Sequence, residues 1–159
     1  INSPWRMIIS SDVLATHYSY SMTNKHIVYF GLGSNLGDKE GNIRKALIMM
    51  EEQIGRLVRQ SALLVTEPWG FESDNAFVNA CACYETTLQP LEILRLTKEI
   101  EIQLGRTVKS SGGQYHDRSI DIDILLYDNL KMQTDELTIP HPLMQERDFV
   151  MIPLSEILS

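Results

Sequence analysis

The chain has 159 residues, 43% hydrophobic and 22% charged, with a formal net charge of −7. That length fits one domain with its own core, and the acidic balance argues against a general binder of nucleic acid or membrane surfaces. No run approaches the ~18–20 apolar residues of a membrane span, and Ser10, Ser11 and Asp12 interrupt Met7-Ile8-Ile9 too early for a secretory leader.

Residues 1–24 show no periodicity and are expected to lie outside a compact domain spanning 25–159. His26 to Leu32 is β-branched and aromatic, which predicts a strand. Gly31-Leu32-Gly33-Ser34-Asn35-Leu36-Gly37 follows, with two readings: backbone N–H groups offered to a ligand, or a strand-to-helix turn that uses glycine for its geometry. Its third glycine falls one residue late for a dinucleotide fingerprint, and no phosphate-loop motif exists. Asp38 is placed to cap a helix with Ile43, Leu47, Met50 and Ile54 at helical spacing, stopped by Gly55. Leu57 to Val65 reads as a second strand, Thr66 to Asn75 as a loop, and Phe77 to Thr87 as a third strand. Cys81 and Cys83 alternate on that strand, badly placed to bridge each other, and read as packing residues in a reducing cytoplasm. Pro90 opens a second helix whose buried side is expected to be Leu91, Ile93, Leu94, Leu96 and Ile100, with Gly105 at its end. A loop from Lys109 to Asp117 precedes a fourth strand. A hairpin around Asp128-Asn129 and a short terminal segment entered through Pro140-His141-Pro142 complete the chain.

Strand, helix, strand, strand, helix, strand is the order of a ferredoxin-like βαββαβ sandwich of the α+β class, here with an added hairpin and a short C-terminal helix. Both long helices would cover one sheet face and leave the other available. In the fourth strand, Ile120, Ile122, Ile124 and Leu126 would face the helices. Asp121 and Asp123 would then share the open face, with Cβ atoms roughly 6–7 Å apart. Two anions so placed repel by about 2–3 kcal/mol at an effective dielectric near 20, which a bound cation would relieve. Oxygen-only ligands suit magnesium; the alternative is a solvent-facing edge whose charges deter aggregation. Phe77 and Asn79 would join the aspartates on that face. Arg106, Lys109, His116 and Arg118 form a basic set suited to phosphates, which His141 and Arg147 extend.

Taken together, the 31–37 segment, Thr66-x-Pro68-x-Gly70, Phe77-x-Asn79, Gly105-Arg106, Arg118-Ser119-Ile120-Asp121-Ile122-Asp123 and Pro140-His141-Pro142 resemble the 6-hydroxymethyl-7,8-dihydropterin pyrophosphokinases of folate biosynthesis, from about Ile27 to Leu158. The resemblance implies an ATP-dependent diphosphotransferase that passes the β,γ-diphosphate of ATP to the pterin hydroxymethyl oxygen and releases AMP. It implies two magnesium ions held by Asp121 and Asp123, with Arg106 and Arg118 steadying phosphates as catalytic groups. Glu101, Lys109, His116, Ile124, Thr138, His141 and Arg147 match the ATP side. Gly33, Thr66, Pro68, Trp69, Phe77, Asn79 and Phe149 match the pterin side, the ring stacking between Phe77 and Phe149. Trp69 and Tyr115 would act as lids on the loops 66–75 and 107–117. A cytoplasmic monomer without nucleic-acid or membrane partners is expected. Two departures stand out: Glu136 occupies the place of an arginine found in some members, and the chain stops at Ser159 where members usually continue. They are the only support for a rival reading as a binding or regulatory module without turnover; a third, another Asp-x-Asp enzyme such as a nucleotide-sugar transferase, asks for a longer, doubly wound chain.

Overall fold

Val28, Phe30 and Leu32 alternate with Tyr29, Gly31 and Gly33 along β1 (His26–Ser34), so this central strand turns a bulky row to one side and a slimmer one to the other. The computed structural model describes residues 24–66, 76–105 and 119–158. Asp38 caps α1 (Lys39–Gln53) by accepting the Gly41 N–H at 3.1 Å. Then come β2 (Gly55–Gln60), β3 (Leu64–Thr66), β4 (Phe77–Thr86), α2 (Pro90–Gln103), β5 (Asp121–Tyr127), β6 (Met132–Gln133), β7 (Thr138–Ile139), a 3-10 turn (Met144–Glu146) and α3 (Asp148–Ile157). Strands pair antiparallel in the order β2–β4–β1–β5, with β3 also on β4.

The core lies between the sheet and the two long helices. Val28, Phe30, Leu32, Ala80, Ala82 and Tyr84 meet Ile43, Met50, Ile93 and Ile100 there. Tyr84 is fully buried, and its hydroxyl donates to the Leu47 carbonyl at 2.7 Å, locking β4 to α1. Tyr84→Phe is expected to cost about 1–2 kcal/mol, since it leaves the same ring volume without that bond. Thermal unfolding should show a loss of a few degrees; an unchanged midpoint would mean the bond contributes nothing.

Several expectations need correction. The stretch predicted as one strand, 57–65, is two, because β2 begins at Gly55 and the chain breaks at residues 61–63 before β3. Leu91 is 44% exposed, while Pro90, Thr97 and Glu101 are buried on α2; the buried stripe runs Pro90, Ile93, Thr97, Ile100 and leaves Leu91 on the outer side. The opposite sheet face is not left open either. Val150, Leu154 and Ile157 of α3 cover part of it, packing on Cys81, Cys83 and Leu125. Both cysteines are free, and burial pushes the Cys81 thiol up to about 12, which fits inert packing residues.

Leu126 also lies on the α3 side, not with the isoleucines. The reason is a β-bulge: β5 pairs Ile124 with Phe30 and Leu126 with Tyr29, leaving Leu125 without a partner across β1. A matching irregularity in β2 sets Leu57 opposite Tyr84 and Arg59 opposite Cys83, so Val58 and Arg59 both reach the α3 side. The hairpin forms further on than expected, between β6 and β7. At 128–129 the chain simply turns, with Asp128 at φ 48° and its carboxylate accepting Ile27 N–H and His26 Nδ1, both at 2.7 Å.

Candidate functional site

The cross-strand register assembles the site. Gly33 stands between Asn79 of β4 and Asp121 of β5, and Gly31 between Cys81 and Asp123. Partners across a ladder share a face, so Asn79, Asp121 and Asp123 project from the same side, as the period of two predicts. Gly31 and Gly33 are therefore strand residues flanked by neighbours on both sides, not a turn or a donor loop; the turn geometry falls to Gly37 at φ 72°. Glycine within a strand lets another group approach its backbone closely. Here Leu125 leans over Gly31, while Asn79 and Phe77 lean over Gly33, where an added Cβ would sit 2.8 Å from Asn79 Oδ1. Asn79 also reaches Thr66 across the neighbouring strand, Nδ2 to Oγ1 at 3.4 Å.

Opposite this amide and ring lies the acidic wall. Asp123 is pushed up to about 7 by burial first, then by the charges of Asp121 and Glu101, with Arg147 and Lys98 pulling weakly the other way. Glu101, which sequence periodicity could not place, is buried on α2 and accepts the Ile122 N–H at 2.7 Å along the outer edge of β5. Lys98, one turn earlier on the same helix, is a cation that the sequence reading missed; its i, i+3 spacing from Glu101 was the available signal.

The β5 bulge supplies the third side. Its extra residue, Leu125, gives its carbonyl to the His141 N–H at 3.0 Å, which brings the Pro-His-Pro segment against β5. His141 Nδ1 accepts the Leu143 N–H at 3.2 Å, so in the neutral ring the proton sits on Nε2. Burial and the Arg147 charge lower the His141 pKa, which keeps it neutral and leaves Nε2–H as a donor at physiological pH. Arg147 precedes the first turn of α3, with its guanidinium 5.6 Å from the Phe149 ring centroid. Cationic and anionic groups thus face each other near the end of one sheet.

Not every expected residue joins this assembly. Ile124 is 3% exposed and packs in the helix-side core, so only its main chain is available to a ligand. Thr138 pairs with Gln133 in the β6–β7 hairpin, which also carries exposed Glu136. Arg106, Lys109, Tyr115, His116, Arg118, Pro68 and Trp69 lie outside the described residues.

No group of three or more His, Cys, Asp or Glu side chains converges among the described residues to form an all-protein metal cage. Two adjacent carboxylates, one of them holding its proton unusually tightly, fit magnesium instead, which completes its shell with phosphate oxygens and water.

The family model described as 7,8-dihydro-6-hydroxymethylpterin-pyrophosphokinase matches residues 29–159. The chain is 52% identical over 132 residues to the 2-amino-4-hydroxy-6-hydroxymethyldihydropteridine pyrophosphokinase of Porphyromonas gingivalis, covering 82% of this chain and 90% of that one. Identity to the enzyme of the same name in Bacillus subtilis is 40% over 133 residues, covering 83% and 78%. A Plasmodium falciparum HPPK-DHPS structure, wild type with pterin and p-hydroxybenzoate, superposes with a TM-score of 0.62 at 17% identity. The superposition covers 84% of this chain but only 39% of that one, and it speaks for the fold alone.

Proposed function

The chain belongs to the 7,8-dihydro-6-hydroxymethylpterin-pyrophosphokinase family, and from that premise we propose that it transfers diphosphate from ATP to 6-hydroxymethyl-7,8-dihydropterin in tetrahydrofolate biosynthesis. The acceptor oxygen bonds to the β-phosphorus, the bond from that phosphorus to the α–β bridging oxygen breaks, AMP leaves, and the hydroxyl proton is released. The observation that carries this reading is the register that sets Asn79, Gly33 and Asp121 in one row across three strands. It puts a partner for a flat heteroaromatic edge beside a carboxylate pair suited to a nucleotide's metal.

In this reading Asn79 hydrogen-bonds the pterin edge while Phe77 and Phe149 sandwich its ring. Asp121 and Asp123 hold magnesium, two ions by family resemblance; the metal supplies charge neutralisation along the phosphates. His141 donates from Nε2 and Arg147 from its guanidinium to phosphate oxygens, which orients the chain of phosphates against the acceptor. Glu101, tied to the β5 backbone, keeps the aspartates' strand in place from behind. Arg106 and Arg118 add phosphate contacts, with Lys109, His116, Thr138 and the Ile124 main chain on the nucleotide side. Gly33, Thr66, Pro68 and Trp69 are assigned to the pterin side. Strand order β2–β4–β1–β5 with both long helices on one face supports a ferredoxin-like sandwich for the domain proposed over residues 25–159. Free thiols support a reducing, cytoplasmic setting, and the reaction asks for no second chain, nucleic acid or membrane.

One assay tests the proposal. Protein incubated with ATP, magnesium and the hydroxymethyl dihydropterin should form AMP in step with pterin diphosphate. ADP would point to an ordinary kinase, and no nucleotide product to a binding module.

A further inference from the structure

Arg147 and Phe149 lie at the N-terminal end of helix α3, yet the residues that seat the helix form an apolar strip. Val150, Leu154 and Ile157 rest on Cys81, Cys83 and Leu125. Burial of this kind holds a helix on a sheet but is non-directional, so it discriminates weakly between positions along the helix axis. Within the strip the Cys81 thiol gives one weak bond to the Val150 carbonyl at 3.6 Å, and the stronger directional bonds occur at the far end of α3. Arg59 Nε donates to the Ile157 carbonyl at 3.0 Å, and its Nη2 reaches the Tyr29 hydroxyl at 3.4 Å. The Ile157 carbonyl belongs to the last turn, where helix carbonyls lack intrahelical donors and a guanidinium also meets the negative end of the helix. Arg59 is on this face because of the irregularity in β2. Beside it, Glu156 Oε1 accepts the Ala62 N–H at 2.9 Å.

Ala62 lies in the connection between β2 and β3, which Ser61 fastens to Cys81 by two bonds of 2.9 Å. The same short segment runs on to Thr66, whose hydroxyl meets Asn79. One end of α3 is therefore tied to the segment behind Thr66 and Asn79, while its other end carries Phe149.

We infer that Arg59 and Glu156 are positioning residues: they set the lengthwise seat of α3 and so the spacing between Phe149 and the Phe77–Asn79 wall. The inference rests on reading those three side chains as the pterin side. Both residues are exposed, so their removal should cost little stability, and a shifted helix should weaken pterin binding through Phe149, with Arg147 at the same helix end moving too.

The test compares Arg59→Ala/Glu156→Ala with Arg59→Lys/Glu156→Gln, which keeps a donor and an acceptor. The alanine pair should raise KM for the dihydropterin about fivefold, and the conservative pair should restore it. Without substrates, amide hydrogen exchange at Val150 and Met151 should quicken about tenfold in the alanine pair, with α1 unaffected. An unchanged KM for the dihydropterin, a general loss of thermal stability that the conservative pair does not rescue, or unchanged exchange at Val150 and Met151 would each overturn the inference. If the wild-type protein forms no AMP, the proposed reaction fails, and the exchange measurement still decides the role of the two residues.

Discussion

Asp123→Asn is expected to reduce turnover by about a thousandfold or more while making the ligand-free protein more stable at neutral pH. The two effects have one cause. Burial and the neighbouring charges of Asp121 and Glu101 raise the Asp123 carboxyl from 3.8 to about 7. The folded chain therefore keeps a proton between about pH 4 and 7 that the unfolded chain releases, and stability present below the unfolded value is lost as pH rises through the folded one. Ligand-free protein should accordingly melt lower at pH 8 than at pH 5. The neutral amide removes that slope and recovers up to about 4 kcal/mol at pH 8. Magnesium with nucleotide should flatten the wild-type slope, because a cation replaces the proton. Melting curves at several pH values, with and without magnesium and ATP, check all of this. A variant that turns over at near-normal rate would dismiss Asp123 as a metal ligand. An unchanged pH slope would dismiss the buried-charge account.

Gly33→Ala is the second large effect expected, and it separates activity from stability. A Cβ at this position would lie 2.8 Å from Asn79 Oδ1 and 3.8 Å from Phe77, so the amide must swing away and lose its approach to Thr66. Alanine otherwise suits a strand better than glycine does, by about 0.5–1 kcal/mol. The expected outcome is a loss of about a hundredfold in kcat/KM for the dihydropterin, with the melting temperature unchanged or slightly raised. Gly31→Ala is the natural control, because the nearest atoms to its Cβ would be those of the Leu125 side chain, at an ordinary 3.6 Å. If both variants behave alike, the orientation of Asn79 is not what Gly33 protects.

What could be read in advance followed from local periodicity. Alternation in β5 correctly gave Asp121 and Asp123 one face and Ile120, Ile122 and Ile124 the other, and the same rule aligned Phe77 and Asn79. Periodicity failed at Leu126, because an inserted residue leaves no compositional mark in a run of leucines. It failed for Glu101 because that carboxylate is explained by an edge-strand N–H 21 residues away, visible only once α2 lies beside β5. Helical spacing overstated Leu91, which lies beside the buried Pro90–Ile93–Thr97–Ile100 stripe and faces outward. The 31–37 glycines drew attention to a turn, whereas Gly31 and Gly33 matter as gaps in a central strand, a distinction that depends on neighbours in the sheet.

The unpaired Leu125 has a further consequence for how this chain tolerates change in length. β5 is anchored by its aspartates at one end and at the other by Asp128, which grips Ile27 and His26. Because Ile124 and Leu126 already stand opposite the adjacent residues Phe30 and Tyr29, removing Leu125 alone would leave both anchors in register and restore strict alternation. Such a deletion would instead take away the carbonyl that holds His141 and one side chain of the α3 contact. Loss of a second residue from the same strand would slip the register and reverse every side chain beyond it.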